Sequence, residues 1–172
     1  MNLSINRVYK RRLKYDLINK FNYIAVQKLP KFEKINLSFN LKKSDFNLLV
    51  SSLVALELVT NQKGCLVRSK SFNERLKIIK GYPVGSKVNL RKEKIFFFFL
   101  KIIKNMSVLK VGVNMNKNVS FQIKNLMLLK ELEINYHFFR RLPPLNIVIN
   151  TTSSSKEELI FMLKFYKFKS GL

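Results

Sequence analysis

The chain has 172 residues, with 33 Lys plus Arg against 10 Asp plus Glu, a formal net charge of +23. That length suits one domain, read as spanning 1–172, and a hydrophobic content of 47% excludes a disordered tail. A compact domain of such charge repels itself unless a polyanion neutralises it, so nucleic acid leads, an anionic membrane surface follows and an acidic protein comes third.

The opening residues, Met1 to Ile18, mix charges with apolar side chains and lack the apolar core of a secretory signal. From Asn6 to Phe21, Leu13, Leu17 and Phe21 recur at helical spacing among Arg7, Lys10, Arg11, Arg12, Lys14 and Lys20, which predicts a basic helix. After Pro30, Ile35, Leu37 and Phe39 alternate with Lys34, Asn36 and Ser38, the pattern of a half-buried strand. Ser44 is placed to cap a helix with apolar positions Phe46, Leu49, Val50, Leu53 and Leu56, stopped by Asn61 and Gly64. A short strand, Cys65 to Arg68, follows. Cys65 is the single cysteine, which excludes an internal disulfide, and its neighbours predict a small buried residue rather than a nucleophile.

Ser69 to Gly85 reads as a long irregular loop that ends in a defined Gly-Tyr-Pro-Val-Gly turn. Lys87 to Arg91 alternates as a strand, and Lys92 to about Asn105 predicts a helix with its phenylalanines against the core. The run Ile95 to Leu100 is far short of the roughly 20 residues that span a bilayer. Val119 to Ile123 and Leu145 to Ile149 alternate again. Ser154-Ser155-Lys156-Glu157 reads as a capping box that opens a last helix through Leu159, Ile160 and Leu163. Helices interrupt strands without a strict βαβ rhythm. The expected fold is α+β, an antiparallel or mixed sheet with helices packed on one face and a long basic loop.

The polar faces of three strands carry the chemistry. Lys34, Asn36 and Ser38, then Lys87, Asn89 and Arg91, then Ser120, Gln122 and Lys124 offer cations, amides and hydroxyls and no carboxylate. Such groups donate hydrogen bonds to phosphate, sugar and base edges. In the loop, Lys70, Arg75, Lys77 and Lys80 surround Phe72, Leu76, Ile78 and Ile79, so cations can follow a phosphate backbone while apolar groups pack on sugars or bases. One His, His137, and one Cys provide too few such ligands for a zinc site, and no nucleophile-elbow word appears. Asp16 and Asp45 stand alone, so an RNA-processing enzyme lacks a metal-holding acid cluster. A peripheral membrane protein that uses the basic first helix and an exposed Phe-rich helix is the competing reading.

At these residues the sequence resembles the bacterial-type ribosomal protein L-five family. Phe21-Asn22-Tyr23 and Leu29-Pro30-Lys31-Phe32-Glu33-Lys34-Ile35 are similar to its F-N-Y and P-x-x-E-K-I words. Thr60-Asn61-Gln62-Lys63 resembles a T/S-G-Q-K turn. Arg68 to Phe72 and Gly81 to Arg91 resemble K-A-K/R-K-S and G-x-P-I-G-C-K-V-T-L-R, and Glu133 to Tyr136 and Leu145 to Thr152 resemble E-I-D-Y and L-D-I-x-I-x-T-T. The resemblance implies a structural, non-enzymatic ribosomal protein whose sheet and turns bind 5S rRNA and neighbouring large-subunit rRNA. Lys34, Asn36, Gln62, Lys63, Lys87, Asn89 and Arg91 are the expected contacts, with Asn89 in place of the usual Thr.

It further implies that Lys70, Ser71, Arg75, Lys77 and Lys80 reach the P-site tRNA, and that the region between Glu133 and Leu145 faces protein thirteen of the small-subunit head. No metal, cofactor, small-molecule substrate or membrane insertion is expected. The chain departs from the family in three places: Ser107 to Asn118 lacks an F-D-G-R-G-N-Y word, Ser38-Phe39-Asn40 replaces Asn-Met-Gly, and Leu142-Pro143-Pro144 replaces an arginine-glycine. With the Lys, Asn, Ile and Phe bias of an A/T-rich gene, these departures suggest a mitochondrial, organelle-encoded version, the alternatives being plastid or bacterial cytoplasm.

Overall fold

The computed structural model describes residues 2–41, 45–74, 78–105, 110–114, 118–166 and 169–170. Its elements in chain order are α1 (Asn2–Lys20), β1 (Phe32–Asn40), α2 (Phe46–Thr60), β2 (Cys65–Arg68), β3 (Pro83–Arg91) and α3 (Glu93–Asn105). Then come β4 (Lys110–Asn114), β5 (Asn118–Ile123), α4 (Lys130–Glu133), α5 (Tyr136–Phe139), β6 (Leu145–Thr151), α6 (Lys156–Phe165) and β7 (Lys169–Ser170). The strands form one sheet in the order β2-β3-β1-β6-β5-β4-β7. Every pairing is antiparallel except the short parallel contact of β4 with β7. This is the α+β arrangement expected from the sequence.

Period-two alternation fixes which face is buried. Ile35 lies opposite Leu90 on β3 and Ile149 on β6, Leu37 opposite Val88 and Ile147, and Val119 and Phe121 on β5 opposite Ile149 and Ile147. All of these side chains are buried. A one-residue slip on any strand would turn its whole apolar set outward, so the register is strongly specified. The helices cover this face: Leu17 of α1, Leu56 and Val59 of α2, Phe98 and Phe99 of α3 and Leu159 and Leu163 of α6 join the same core. Full burial of each such side chain contributes about 1.5–3 kcal/mol.

Specific contacts lock the layers. Ser52 of α2 and Ser86 of β3 meet beneath the sheet through a 2.8 Å hydroxyl–hydroxyl hydrogen bond. Lys101 Nζ of α3 donates to the Val59 carbonyl at 2.8 Å and pairs with Glu131 of α4 at 2.9 Å, tying three helices together. Phe32, Phe99 and Tyr166 stack pairwise with ring centroids 5.0–5.4 Å apart. Leu41 N–H donates to the Val84 carbonyl at 2.9 Å, and Gly85 faces Asn40 across β1 and β3.

Several local expectations are corrected. Ser44 lies outside the described residues, and Asp45 occupies the N-cap position of α2. Phe46 and Val50, expected at core positions, are 76% and 42% exposed, because α2 instead turns Leu49, Ser52, Ala55, Leu56, Val59 and Thr60 inward. Cys65 is exposed rather than buried, since it lies on edge strand β2 opposite Lys87, on the sheet face away from the helices. The capping box forms one residue later than expected: Ser155 caps α6 and accepts from the Glu158 N–H, while the Glu158 carboxylate reaches back. Strand β4 is an addition to the expected elements; it pairs with β5 at Gly112–Ser120 and Asn114–Asn118.

The loop expected from Ser69 to Gly85 is shorter, and described residues on either side of 75–77 are paired with one another. Pro83, Val84 and Gly85 already belong to β3. Below them Ser69 N–H donates to the Tyr82 carbonyl, Gly81 N–H to the Ser69 carbonyl, and Asn73 pairs with Ile78 across the two arms. The segment is therefore a hairpin-like extension of the β2–β3 pair.

Candidate nucleic-acid interface

The face of the sheet opposite the helices is open. Across β1 and β3, Lys34 lies opposite Arg91, Asn36 opposite Asn89 and Ser38 opposite Lys87. Strand β6 continues the face with Asn146, Val148 and Asn150, and β5 with Asn118, Ser120 and Gln122. No Asp or Glu occurs among these positions. Directly opposed cations destabilise a sheet, because cross-strand neighbours stand only about 5 Å apart. Lys34 facing Arg91 is thus a local cost that a bound anion would remove. Among the amides, the side-chain oxygens of Asn36, Asn146 and Asn150 are shielded and meet no protein donor.

At the end of β3, an open depression of about 760 Å³ is lined by Gln62, Asn89, Arg91, Lys92, Glu93 and Lys94. Two left-handed residues shape it: Asn61 at φ 52° ends α2, and Lys92 at φ 54° turns β3 into α3. Gln62 bridges these segments, its amide donating to the Asn89 carbonyl at 3.3 Å while its oxygen accepts from Lys94 Nζ at 3.2 Å. Lys63, next in the chain, is exposed. Glu93 is the one carboxylate of that rim, at the first turn of α3.

The hairpin-like extension leaves β3 at its other end. With nine residues at about 3.3 Å each, β3 holds the extension and the Gln62 depression roughly 27 Å apart. Lys70, Ser71 and Lys80 are exposed there, as are Phe72, Ile79 and Tyr82. Ile78 tucks under it, 8% exposed. Arg75 and Lys77 lie outside the described residues.

Five of the expected sheet contacts, Lys34, Asn36, Lys87, Asn89 and Arg91, thus share one face. Gln62 and Lys63 stand at its edge, and Lys70, Ser71 and Lys80 form a separate group. Asn146 and Asn150 are additions to the expected contacts, although the alternation of Leu145, Ile147 and Ile149 already places them on the polar side. The competing membrane reading loses its motive. Phe98 and Phe99 are buried, Phe96 packs partly buried against the core, and Phe97 is 40% exposed. Among the described residues, no helix is long and apolar enough to cross a membrane, and no three His, Cys, Asp or Glu side chains gather to hold a metal ion.

An α+β scaffold that buries its helices behind a sheet and opens a cation-and-amide face without carboxylates belongs to the class of basic, polyanion-facing proteins. A scan against protein-family profiles finds no match. Curated relatives are informative: large ribosomal subunit protein uL5m of Reclinomonas americana is 31% identical over 95% of each chain. Large ribosomal subunit protein uL5 of Wigglesworthia glossinidia brevipalpis is 32% identical over 93% of this chain and 94% of its own length. The corresponding protein of Thermus thermophilus is 29% identical over 98% and 97%. The chain belongs to the uL5 family of large-ribosomal-subunit proteins. Its role is accordingly structural, within the ribosome, and not enzymatic.

Proposed function

We propose that the whole chain acts as a single rRNA-binding domain, whose open sheet face binds 5S rRNA, or its organellar equivalent, and neighbouring large-subunit rRNA. One observation carries this reading: Lys34 stands opposite Arg91, and Asn36 opposite Asn89, on a face without carboxylates. Lys34, Lys87 and Arg91 are assigned to phosphates, and Asn36, Asn89, Gln62 and Lys63 to sugars, base edges and the flanking backbone.

The hairpin-like extension is the second contact, directed at the P-site tRNA through Lys70, Ser71, Arg75, Lys77 and Lys80. Its distance from the depression at Gln62 supports two separate RNA partners rather than one continuous footprint. The region between Glu133 and Leu145 is assigned to the small-subunit head and its protein thirteen. Ile134 and Phe138, 82% and 72% exposed beside exposed Arg140 and Arg141, support a protein contact there. The mitochondrion is the proposed compartment. The mitochondrial-type relative from Reclinomonas americana and the Lys, Asn, Ile and Phe bias support it. Fractionation that recovers the chain only from plastid ribosomes or from ribosomes of a bacterial cytoplasm would overturn that assignment.

Filter binding with 5S rRNA tests the central reading. If roughly 6–10 phosphates are neutralised, affinity falls by about 10³–10⁵ between 50 and 200 mM salt. Equal affinity for an unrelated RNA of the same length would reject it.

A further inference from the structure

The outer side of α2 has the reverse character of the sheet face. At about 100° per residue, Phe46, Val50, Val54 and Leu58 fall within one arc of about 120°, opposite the buried side of the helix. They are 76%, 42%, 43% and 37% exposed. An outward helix face ordinarily carries charged and polar groups. This one carries Glu57 as its single charge, and no Lys or Arg occurs anywhere between Ser44 and Gln62, although the chain has 33 in 172 residues. The two acids of that span, Asp45 and Glu57, are both exposed.

Charge and size select the occupant. RNA is unsuitable, because nothing here neutralises phosphate and both carboxylates repel it. A second copy would set the same acidic, cation-free faces against each other. The stripe also measures only about 18 by 10 Å, on the order of 200 Å², whereas a stable complex buries about 800 Å² per partner. What fits is one segment of another protein, apolar along one side with Lys or Arg at its margin. Its own seat in the same particle would supply the effective concentration that so small a contact needs.

We propose that the outer face of α2 docks an apolar, basic-edged segment of a neighbouring basic ribosomal protein. The inference rests on the ribosomal reading, so the experiment separates the two. A photo-crosslinking phenylalanine is placed at Val54, and in a second variant at Val50, in the full chain expressed where it assembles. Large subunits are then isolated, irradiated and analysed by mass spectrometry. The expected result is a cross-link from both positions to one ribosomal protein, through a peptide with Lys or Arg beside apolar residues. Glu57→Lys, which reverses the charge of the stripe, should lower that yield severalfold without removing the chain from the subunit. Cross-links only to rRNA, only to a second copy, or to nothing in chains that do sediment with the subunit overturn the docking proposal alone. Absence of the unmodified chain from large subunits overturns the ribosomal reading and the docking proposal together.

Discussion

Gly85 lies where β3 passes closest to β1, and a Cβ added there would collide with the Phe39 carbonyl. Gly85→Ala should therefore push the strands apart and destabilise the fold by about 1–3 kcal/mol or more, read as a lower thermal midpoint. Glu158 is a second sensitive residue. Burial pulls its carboxyl upward, but hydrogen bonds from the Ser154 N–H and hydroxyl and from the Ser155 N–H more than offset this and hold it below the ordinary carboxylate range. A depressed carboxylate stabilises the fold above its ordinary range and loses that contribution as pH falls through the lowered value. Nearby Tyr23 shifts the other way: burial first, then the neighbouring negative charge of Glu158, push the hydroxyl up to about 12. That contribution is complete below the ordinary 10.0 and is lost as pH rises toward the raised value. Glu158→Ala should cost about 1 kcal/mol at neutral pH, and its difference from the unmodified chain should shrink in strongly acidic melts. At this scale the sequence is a partial guide: two serines and two glutamates in tandem allow two capping registers, and only packing selects Ser155 with Glu158.

Strands are more legible than single residues, because period-two alternation is strict and β1, β3, β5 and β6 each bury one face. Alternation alone places Lys34, Asn36, Lys87, Asn89 and Arg91 on one side. A carboxylate introduced into that face should be far more harmful to RNA affinity than to stability. Asn36→Asp is expected to weaken 5S rRNA binding at least tenfold in filter assays while leaving the folded chain intact. Helix α2 is less legible. Its sequence is apolar nearly all round, so spacing cannot say which side faces the sheet, and it points Phe46 and Val50 inward where the fold turns them out. The hairpin-like extension reads as irregular because its arms pair through backbone groups, which leave no periodicity in side chains.

For the molecule as a whole, charge dominates. Removing two proposed phosphate contacts with the double change Lys87→Ala and Arg91→Ala should reduce the slope of log affinity against log salt by about 2. Neither change touches the core, so the thermal midpoint of the free chain should hardly move. The fold class is accessible from strand and helix order alone. The separation of the Gln62 depression from the tip, about 27 Å, is not, since it depends on β3 running unbroken between them.

The three shielded asparagine oxygens bear on how firmly the sheet holds by itself. A buried acceptor without a donor costs roughly 1–3 kcal/mol, so Asn36, Asn146 and Asn150 each mark a point where the folded sheet gives up stability. An apolar side chain of similar size at one of these positions, as in Asn146→Leu, therefore removes a stranded acceptor and should raise the thermal midpoint of the free chain.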